Sequence, residues 1–400
     1  MKRRLLWFVV NMCRLVVSTT FIFSGLVKLI DPVGNQYKVT DYLLSMGFPA
    51  QTWSVQTMAL SVGLSLLEFC LGIYLLFGIR RRWTTRLILL FTLVYTPMTL
   101  WLASTNAVAD CGCFGDAIHL SNWQTFSKNV VLLIMAALVW WKGRLLTRFI
   151  SESVQWVISL YSALYGFFIA LWCIYGEPII DLRPFHIGQH IPTAMAWPED
   201  PMLQPEILDF DLDEEILSDT SYTFLLIAPY LEKADDGAME RINLLYDYAS
   251  VQGYRFLGLT ASSSQAIQRW QDLTGAEYDF TFMDELTLKT MARSNPALIL
   301  LHDGTITGKW SYNFLPTVSE MQTSLDEFEW AHPHPDSYKA MLLKLLLWYL
   351  VPLFMLTLID RTVISVRWWR RRQGVLTTEN RHTQPDDDRK AFGTTSDDPL

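Results

Sequence analysis

Cysteine is scarce in this 400-residue chain, and its five copies are confined to the first half. They are Cys13, Cys70, Cys111, Cys113 and Cys173, and no cysteine follows the last of these. Five cysteines are too few for a fold that depends on a disulfide scaffold. The fold must therefore rest on burial of apolar side chains, and we interpret Cys13, Cys70 and Cys173 as small buried thiols within apolar stretches.

Charge is scarce as well, since Asp, Glu, Lys and Arg make up 18% of the chain and hydrophobic residues 51%. The mean hydropathy of +0.20 exceeds what the core of a purely soluble enzyme requires. The charges are segregated: residues 177–336 hold 8 basic and 27 acidic side chains, a net charge of −19, and the rest carries +11. Such an acidic polar body disfavours nucleic-acid binding, and 14% aromatic residues exclude disorder over most of the length.

Six apolar stretches are long enough, or nearly long enough, to cross a lipid bilayer as helices. A span needs about 20 apolar residues, because the hydrocarbon core is about 30 Å thick and a helix rises about 1.5 Å per residue. The fourth stretch is the shortest and reaches full length only if residues 125–128 join it. The six stretches are residues 5–30, 55–77, 87–103, 129–141, 154–175 and 340–359.

Basic residues in the short loops predict the orientation of these spans, because lysine and arginine stay on the cytoplasmic side. All basic clusters share that side if the chain crosses six times with both termini in the cytoplasm. Residues 31–52, residues 104–124 and the acidic body are then periplasmic, as in a multi-pass bacterial inner-membrane protein. A cleaved signal peptide is the alternative for the N-terminus, but Asn11 and Arg14 interrupt its apolar run. The clusters are Lys2 to Arg4, Arg80 to Arg82 with Arg86, Lys142 with Arg144 and Arg148, and Arg361 with Arg367 and Arg370 to Arg372.

Residues 177–339 have the pattern of a soluble α/β domain. Strands are predicted at residues 221–228, 254–260, 278–283, 297–301 and 306–311, and helices at residues 234–251, 263–274, 285–293 and 323–329. With right-handed crossovers, this order predicts a mixed sheet with helices on both faces. Beyond residue 374 the tail is polar, and we expect it to be disordered.

Two cysteines separated by one glycine, Cys111 and Cys113, are the sharpest local feature. A disulfide between them closes a very small ring, which Gly112 permits because it tolerates backbone angles that a Cβ forbids. Such a strained, exposed bond is expected to be exchangeable, which makes both cysteines candidate catalytic residues. A passive disulfide that braces the loop is one alternative. Metal ligation is another, which we do not favour because the additional ligands could come only from Asp110, Asp116 and His119.

Three charged residues lie inside the first two predicted spans, and a charge costs roughly 2.5 to 3.5 kcal/mol at the centre of a span. Arg14 and Glu68 each lie nine residues from the cytoplasmic end of their span, at a depth of about 14 Å. Because these two spans run in opposite directions, we predict an intramembrane ion pair between Arg14 and Glu68, either structural or linked to protons or a quinone. Lys28 is near the outer end, and we expect it to reach the interface or meet Asp31.

The order of elements in the polar body resembles the thioredoxin fold over most of residues 209–329. Asn295 and Pro296 stand just before the predicted hairpin, where that family keeps a cis-proline, so Pro296 is the candidate for this position. Where thioredoxins place a Cys-x-x-Cys motif, this chain has PYLEK at residues 229–233. Without a sulfur nucleophile the domain cannot exchange disulfides by itself. The resemblance therefore implies a domain for binding or positioning.

The segments FIFSGLVKLIDP at residues 21–32, Glu68 with Gly72 and LLFG at residues 75–78, and DCGCFG at residues 110–115 together resemble the DoxX and MauE families of membrane proteins. The resemblance covers about residues 5–141 and implies a four-helix membrane bundle. It also implies a link to periplasmic disulfide chemistry, since MauE-like proteins belong to methylamine utilisation, in which a disulfide-rich dehydrogenase subunit must mature. Other DoxX-type proteins are associated with quinone-linked sulfur oxidation, so a quinone is the one cofactor suggested.

Together these features predict an α-helical membrane protein with a thioredoxin-like extracytoplasmic domain. The first hypothesis is a membrane thiol-disulfide oxidoreductase that exchanges electrons with an extracytoplasmic redox protein or client through Cys111 and Cys113. The second is a non-catalytic assembly factor whose acidic domain binds clients. A transporter is the third hypothesis, because the sequence shows neither interrupted membrane helices nor an internal repeat. The predicted domains are residues 1–148 for the DoxX/MauE-like bundle, 149–180 for a fifth membrane helix, 181–338 for the thioredoxin-like domain, 339–373 for the sixth membrane helix and its basic flank, and 374–400 for the tail.

Overall fold

The computed structural model describes residues 2–108, 111–198, 204–208, 210–317, 323–328, 331–332 and 337–382. Its first part is a bundle of long helices, with one shorter helix between the first two long ones. The helices are α1 Lys2–Ile30, α2 Pro32–Ser45, α3 Ser54–Phe77, α4 Arg81–Thr105, α5 Asn122–Trp141 and α6 Gln155–Tyr175.

Helices α1 and α3 approach most closely, because glycine lets their backbones meet. A Cβ on Gly25 would lie 2.4 Å from the backbone nitrogen of Phe69, and one on Gly72 would lie 2.7 Å from that of Ile22. Neither position has room for a side chain. These two contacts fix the antiparallel register of α1 and α3.

Two segments of the bundle differ from the sequence-based expectation. Helix α5 begins at Asn122 and not at residue 129, because Ser121 caps it: the Ser121 side chain accepts a hydrogen bond from the backbone N–H of Gln124, and the Gln124 side chain accepts one from the backbone N–H of Ser121. Helix α2 occupies part of the stretch expected to be a loop. It begins at Pro32, and Asp31 caps it by accepting a hydrogen bond from the backbone N–H of Gly34 at 2.9 Å.

The chain then forms an α/β domain built on one five-stranded sheet in the order β3-β2-β1-β4-β5. Its strands are β1 Tyr222–Ile227, β2 Arg255–Thr260, β3 Phe280–Phe282, β4 Ala297–His302 and β5 Thr305–Ser311. Strands β1, β2 and β3 pair in parallel, whereas β4 is antiparallel to β1 and to β5. The helices of this domain are α7 Ile191–Met195, α8 Glu214–Leu217, α9 Met239–Gln252, α10 Ser264–Thr274 and α11 Glu285–Met291.

The central strand β1 is buried on both faces, because its side chains alternate between two apolar cores. Phe224 and Leu226 pack in one core with residues of α9 and α10, and Leu225 and Ile227 pack in the other with residues of α11. The predicted mixed sheet with covered faces is therefore confirmed. The helix predicted at residues 323–329 is a single 3-10 turn, Leu325–Glu327, and residue 329 lies outside the described residues.

The last helix, α12 Ser337–His382, packs on α6 through a cluster of tyrosines. The rings of Tyr161 and Tyr349 stack with centroids 5.6 Å apart, and the hydroxyl groups of Tyr349 and Ser162 are 2.8 Å apart. Helix α12 continues to His382, past the predicted boundary at residue 373, and residues 383–400 of the predicted tail lie outside the described part of the chain.

Six helices of the described chain are long and apolar enough to cross a membrane, as the sequence predicts: α1, α3, α4, α5, α6 and α12. The end of the bundle where α1 ends and α5 begins also carries residues 111–116, which we name the cysteine loop. The α/β domain contacts the bundle at this end.

Candidate functional site

The cysteine loop brings two thiols together between α4 and α5. The sulfur atoms of Cys111 and Cys113 are 2.9 Å apart, and both cysteines are free thiols in the structure. Gly112 has a φ of 61°, in the left-handed region, and a Cβ there would lie 3.2 Å from the side chain of Lys38. Glycine is therefore the residue that this turn requires, which agrees with the sequence argument.

Helices α1 and α2 hold the loop in place through its backbone. The hydroxyl of Ser24 donates a hydrogen bond to the carbonyl oxygen of Cys113 at 2.6 Å, and the hydroxyl of Tyr42 donates one to that of Cys111 at 2.8 Å. The rings of Phe23 and Phe114 pack with centroids 5.5 Å apart. The thiols are thus positioned by two helices and not by the loop alone.

The two thiols have different environments. A hydrogen bond from Cys111 lowers the pKa of Cys113, and the charges of Lys128 and Lys28 act in the same direction against the effect of burial. The same hydrogen bond raises the pKa of Cys111, as does its burial. The Nζ atom of Lys128 lies 4.1 Å from the ring centroid of Phe114. Cys113 is therefore the thiol of the pair that ionises more readily, and the hydrogen bond from Cys111 favours its thiolate form.

Cys113 also lines a pocket that extends into the bundle among α1, α3, α4 and α5. Its apolar walls include Phe21, Phe91 and Leu132. Two charged side chains on its wall, Lys28 and Glu68, form an ion pair at 2.9 Å, and each side chain is 9% exposed. The sequence analysis placed Lys28 at the interface or beside Asp31, and this prediction is wrong.

The predicted ion pair between Arg14 and Glu68 is also wrong. The register of α1 and α3, extended eight residues back from Ile22, places Arg14 just past the last residue of α3 and about 18 Å from Glu68. The depth calculation failed because it took residues 5 and 77 to lie at the same level, whereas the register places residue 17 opposite residue 77. The structure instead gives Glu68 the partner Lys28.

Arg14 is nonetheless buried, with 1% of its surface exposed, and it binds backbone carbonyl groups. It donates hydrogen bonds to Leu75 at 2.9 Å, to Leu76 and to Thr147 at 2.7 Å. Two of these carbonyls, those of Leu75 and Leu76, lie in the last turn of α3, where the regular hydrogen bonds of the helix end and where its dipole favours a cation. Arg14 therefore closes the end of the bundle opposite the cysteine loop.

Arg293 is a site residue that the sequence analysis did not identify. It joins the α/β domain to the cysteine loop. Its guanidinium binds Asp31 at 2.6 Å and Asp116 at 2.9 Å. Burial alone would raise the pKa of Asp31, but the charges of Arg293 and Arg183 lower it below its usual value. Asp31 and Arg293 are 262 residues apart, and no local pattern connects them.

Four further charged residues extend this contact into the α/β domain. The carboxylate of Glu177 accepts hydrogen bonds from the backbone N–H groups of Arg293 and Ser294. Arg183 binds both Glu177 and Asp181, and Lys309 binds Asp181 at 2.7 Å. Burial opposes the ionisation of Asp181, but Lys309 and Arg183 outweigh it and lower its pKa. The segment before β4 is thus clamped to the chain that leaves α6.

Pro296 lies beside this clamp. The peptide bond between Asn295 and Pro296 is cis, as the sequence predicts. The Asn295 side chain donates a hydrogen bond to the carbonyl oxygen of Tyr230 at 2.8 Å, so the 229–233 segment and the Pro296 segment are neighbours. Lys289 lies over the rings of Tyr230 and of Tyr37 in α2. This edge of the α/β domain therefore faces the bundle.

The structure gives the predicted metal alternative no support among the residues that it describes. Asp116 is bound by Arg293, and no three His, Cys, Asp or Glu side chains of the described residues converge on one point. Asp110 lies outside the described residues.

The fold and the site together define an integral membrane protein with an α/β domain at one end of its helical bundle. The sequence model of one family, described as Methylamine utilisation protein MauE, matches residues 5–142, which include α1 to α5 and the cysteine loop. This part of the chain is MauE-like. No curated protein and no solved structure matches the chain.

Proposed function

We propose that this protein is a thiol-disulfide oxidoreductase of the bacterial inner membrane, with Cys113 as the attacking thiol and Cys111 as the resolving thiol. The observation that carries the proposal is the pair of sulfur atoms 2.9 Å apart, held by two helices, with Cys113 lining a pocket that also contains two lysines. A thiolate is the nucleophile in disulfide exchange, and the lowered pKa of Cys113 fits it to this role.

The proposed exchange transfers two electrons between the cysteine pair and the partner disulfide, and it takes two steps. The Cys113 thiolate attacks a partner disulfide, which forms a mixed disulfide and releases one partner thiolate. Cys111 then loses its proton and attacks the sulfur of Cys113, which releases the second partner thiolate and leaves the Cys111–Cys113 disulfide. The partner is reduced by two electrons, and the reverse sequence oxidises it.

The partner we propose is an extracytoplasmic redox protein or client. The basic clusters support an orientation with both termini in the cytoplasm and with the cysteine loop and the α/β domain in the periplasm. The strand order supports a thioredoxin-like domain, which has no cysteine and so serves to bind or position the partner. The similarity to a methylamine utilisation family fits a partner that needs disulfides to mature.

The electron acceptor that we propose is a quinone, for which the pocket beside Cys113 would have to widen, because its cavity of about 30 Å³ holds no more than a water-sized group. Phe21 and Phe91 offer flat apolar walls, and Lys28, Lys128 and Tyr95 offer hydrogen-bond donors for carbonyl oxygens. A quinone bound there would take up the two electrons and two protons that are released when Cys111 and Cys113 form a disulfide.

Trapping of mixed disulfides tests the proposed exchange. In a variant that lacks Cys13, Cys70 and Cys173, we expect Cys111→Ser to accumulate a mixed disulfide through Cys113, because the resolving thiol is missing. Cys113→Ser is the matched control, since it keeps the same number of thiols and removes the attacking one. The adducts are detected as reducible shifts on non-reducing gels of membranes quenched with acid.

The alternative is a non-catalytic assembly factor, which is favoured by the burial of Cys111 and by the docking of the cysteine-free domain on the cysteine loop. If neither serine variant captures a partner and the dithiol stays in one oxidation state, this alternative replaces the redox proposal.

A further inference from the structure

The Lys28–Glu68 ion pair has no structural task that apolar residues could not perform. Taking two charges out of water costs more than their attraction usually returns, and an apolar pair of similar size is often as stable. Each side chain is 9% exposed, and both lie on the wall of the pocket that also contains Cys113. A buried ion pair beside a reactive group suggests a role for its charge.

The charges of the pocket are not balanced when Cys113 is a neutral thiol. The charged side chains that line it are Lys28, Lys128 and Glu68, which sum to one excess positive charge. Thr92, Tyr95 and Asn129 are neutral polar side chains of α4 and α5 that also line the pocket. In a site of low dielectric an uncompensated charge is costly, and ionisation of Cys113 removes the imbalance.

We infer that Lys28 and Glu68 are positioning residues for Cys113: Glu68 fixes the Lys28 ammonium in the pocket wall, and the ammonium stabilises the Cys113 thiolate. The inference rests on the proposed function in one respect, that Cys113 is the attacking thiol. Cys111 also affects the ionisation of Cys113, because its hydrogen bond to Cys113 favours the thiolate. Asp116 lies in the same loop, but Arg293 binds it.

The test is the pH dependence of Cys113 alkylation by iodoacetamide, measured by mass spectrometry in the full chain lacking Cys13, Cys70 and Cys173. We expect Lys28→Met to shift the midpoint of the rate profile upward by about one pH unit. Glu68→Gln keeps an oxygen that accepts the hydrogen bond of Lys28, and so keeps the ammonium in place, but it removes a negative charge and is expected to shift the midpoint downward. Lys28→Arg keeps the cation and should restore most of the parent profile.

Lys128→Met and Lys142→Met provide a matched comparison on α5. Both lysines lie over aromatic rings, at 4.1 Å and 3.9 Å from the centroids, but they are at opposite ends of the helix. Of these two variants, only Lys128→Met should raise the pH midpoint of Cys113 alkylation. Alkylation reports ionisation whether or not the thiols exchange with a partner, so failure of this inference is distinguishable from failure of the proposed function.

The inference is overturned if Lys28→Met leaves the midpoint unchanged while it lowers the melting temperature, since the pair would then be structural only. If Lys28→Met does not fold, Glu68→Gln decides the question by the sign of its shift. A downward shift supports the inference, and an upward shift or none contradicts it.

Discussion

Two clusters of buried charge lie on opposite sides of the cysteine loop, and they differ in construction. The inner cluster lines the pocket within the bundle and consists of Lys28, Glu68 and Lys128, with one excess positive charge. The outer cluster joins the bundle to the α/β domain and has one excess negative charge. Its members are Arg183, Arg293, Lys309, Asp31, Asp116, Glu177 and Asp181.

The difference separates two roles for buried charge. The inner cluster lies on helices whose register is fixed by the close approach of Gly25 and Gly72, and it surrounds a sulfur atom. The outer cluster connects segments far apart in sequence and satisfies backbone N–H groups at the clamp. The first therefore tunes a reactive group, and the second holds two parts of the molecule together.

The largest effect in this comparison is expected from a buried charge that belongs to neither cluster. Arg14→Met should destabilise the bundle by about 3 kcal/mol or more, because the carbonyl groups of Leu75, Leu76 and Thr147 lose their charged donor. Denaturant unfolding in detergent measures this. The exposed Arg144 gives the control Arg144→Met, which should change the free energy of unfolding by less than about 0.5 kcal/mol. Equal effects of the two variants would contradict the buried role of Arg14.

The next largest effect is expected in double-mutant cycles, which measure whether two buried charges of the bundle interact. Lys28→Met and Glu68→Gln should couple by about 2 kcal/mol or more, because either single change strands a buried charge. Arg14→Met and Glu68→Gln should instead be additive to within about 0.5 kcal/mol, since the two side chains lie far apart. Strong coupling in the second cycle, with additivity in the first, would restore the ion pair that the sequence suggested.

The sequence predicted the features that depend on local pattern. Apolar length located the six spanning helices, the apolar run at residues 221–228 located the central strand, and Gly112 indicated the tight turn between the cysteines. Each of these follows from residues that are neighbours in the chain. The capping signals at Ser121 and Asp31 were also local, and reading them would have extended α5 and revealed α2.

The partners of the buried charges could not be predicted in the same way. The depth of Arg14 was counted from the end of an apolar run, whereas the true register depends on where Gly25 meets Phe69. Asp116 lies close to the cysteines in the sequence, but Arg293 of the α/β domain binds its carboxylate. Two lysines favour ionisation of Cys113, and of these Lys128 is near it in the sequence whereas Lys28 comes from α1. Such contacts depend on tertiary structure.

The outer cluster is tested by Arg293→Gln. This change should weaken docking of the α/β domain and leave Asp31 and Asp116 without their shared cation, so Cys111 should become several-fold more reactive to a maleimide. The control is Arg241→Gln, an exposed arginine of the same domain that donates to the carbonyl oxygen of Tyr312. If Cys111 reacts at the parent rate in both variants, the contact of Arg293 does not shield the cysteine loop.

The smallest effect on stability is expected from two cysteine variants that test which side of the membrane the two clusters face. Ser264 is exposed on α10, and a Cβ on Gly143 has nothing within 4 Å, so a cysteine at either position should be tolerated. In intact cells lacking the native cysteines, an impermeant maleimide that reaches the periplasm should label Ser264→Cys. Gly143→Cys should react only after the inner membrane is opened. The reverse labelling pattern would place the cysteine loop in the cytoplasm.

The central claim is that Cys111 and Cys113 form an exchangeable redox pair, and the most direct measurement is their midpoint potential. The variant that lacks Cys13, Cys70 and Cys173 is equilibrated in detergent with a series of glutathione ratios, extended by dithiothreitol, and the dithiol fraction is read by alkylation. The account predicts reversible titration with a midpoint well above about −300 mV, the region typical of inert structural bridges. A pair that stays oxidised below that potential, or that never forms a disulfide, would contradict it.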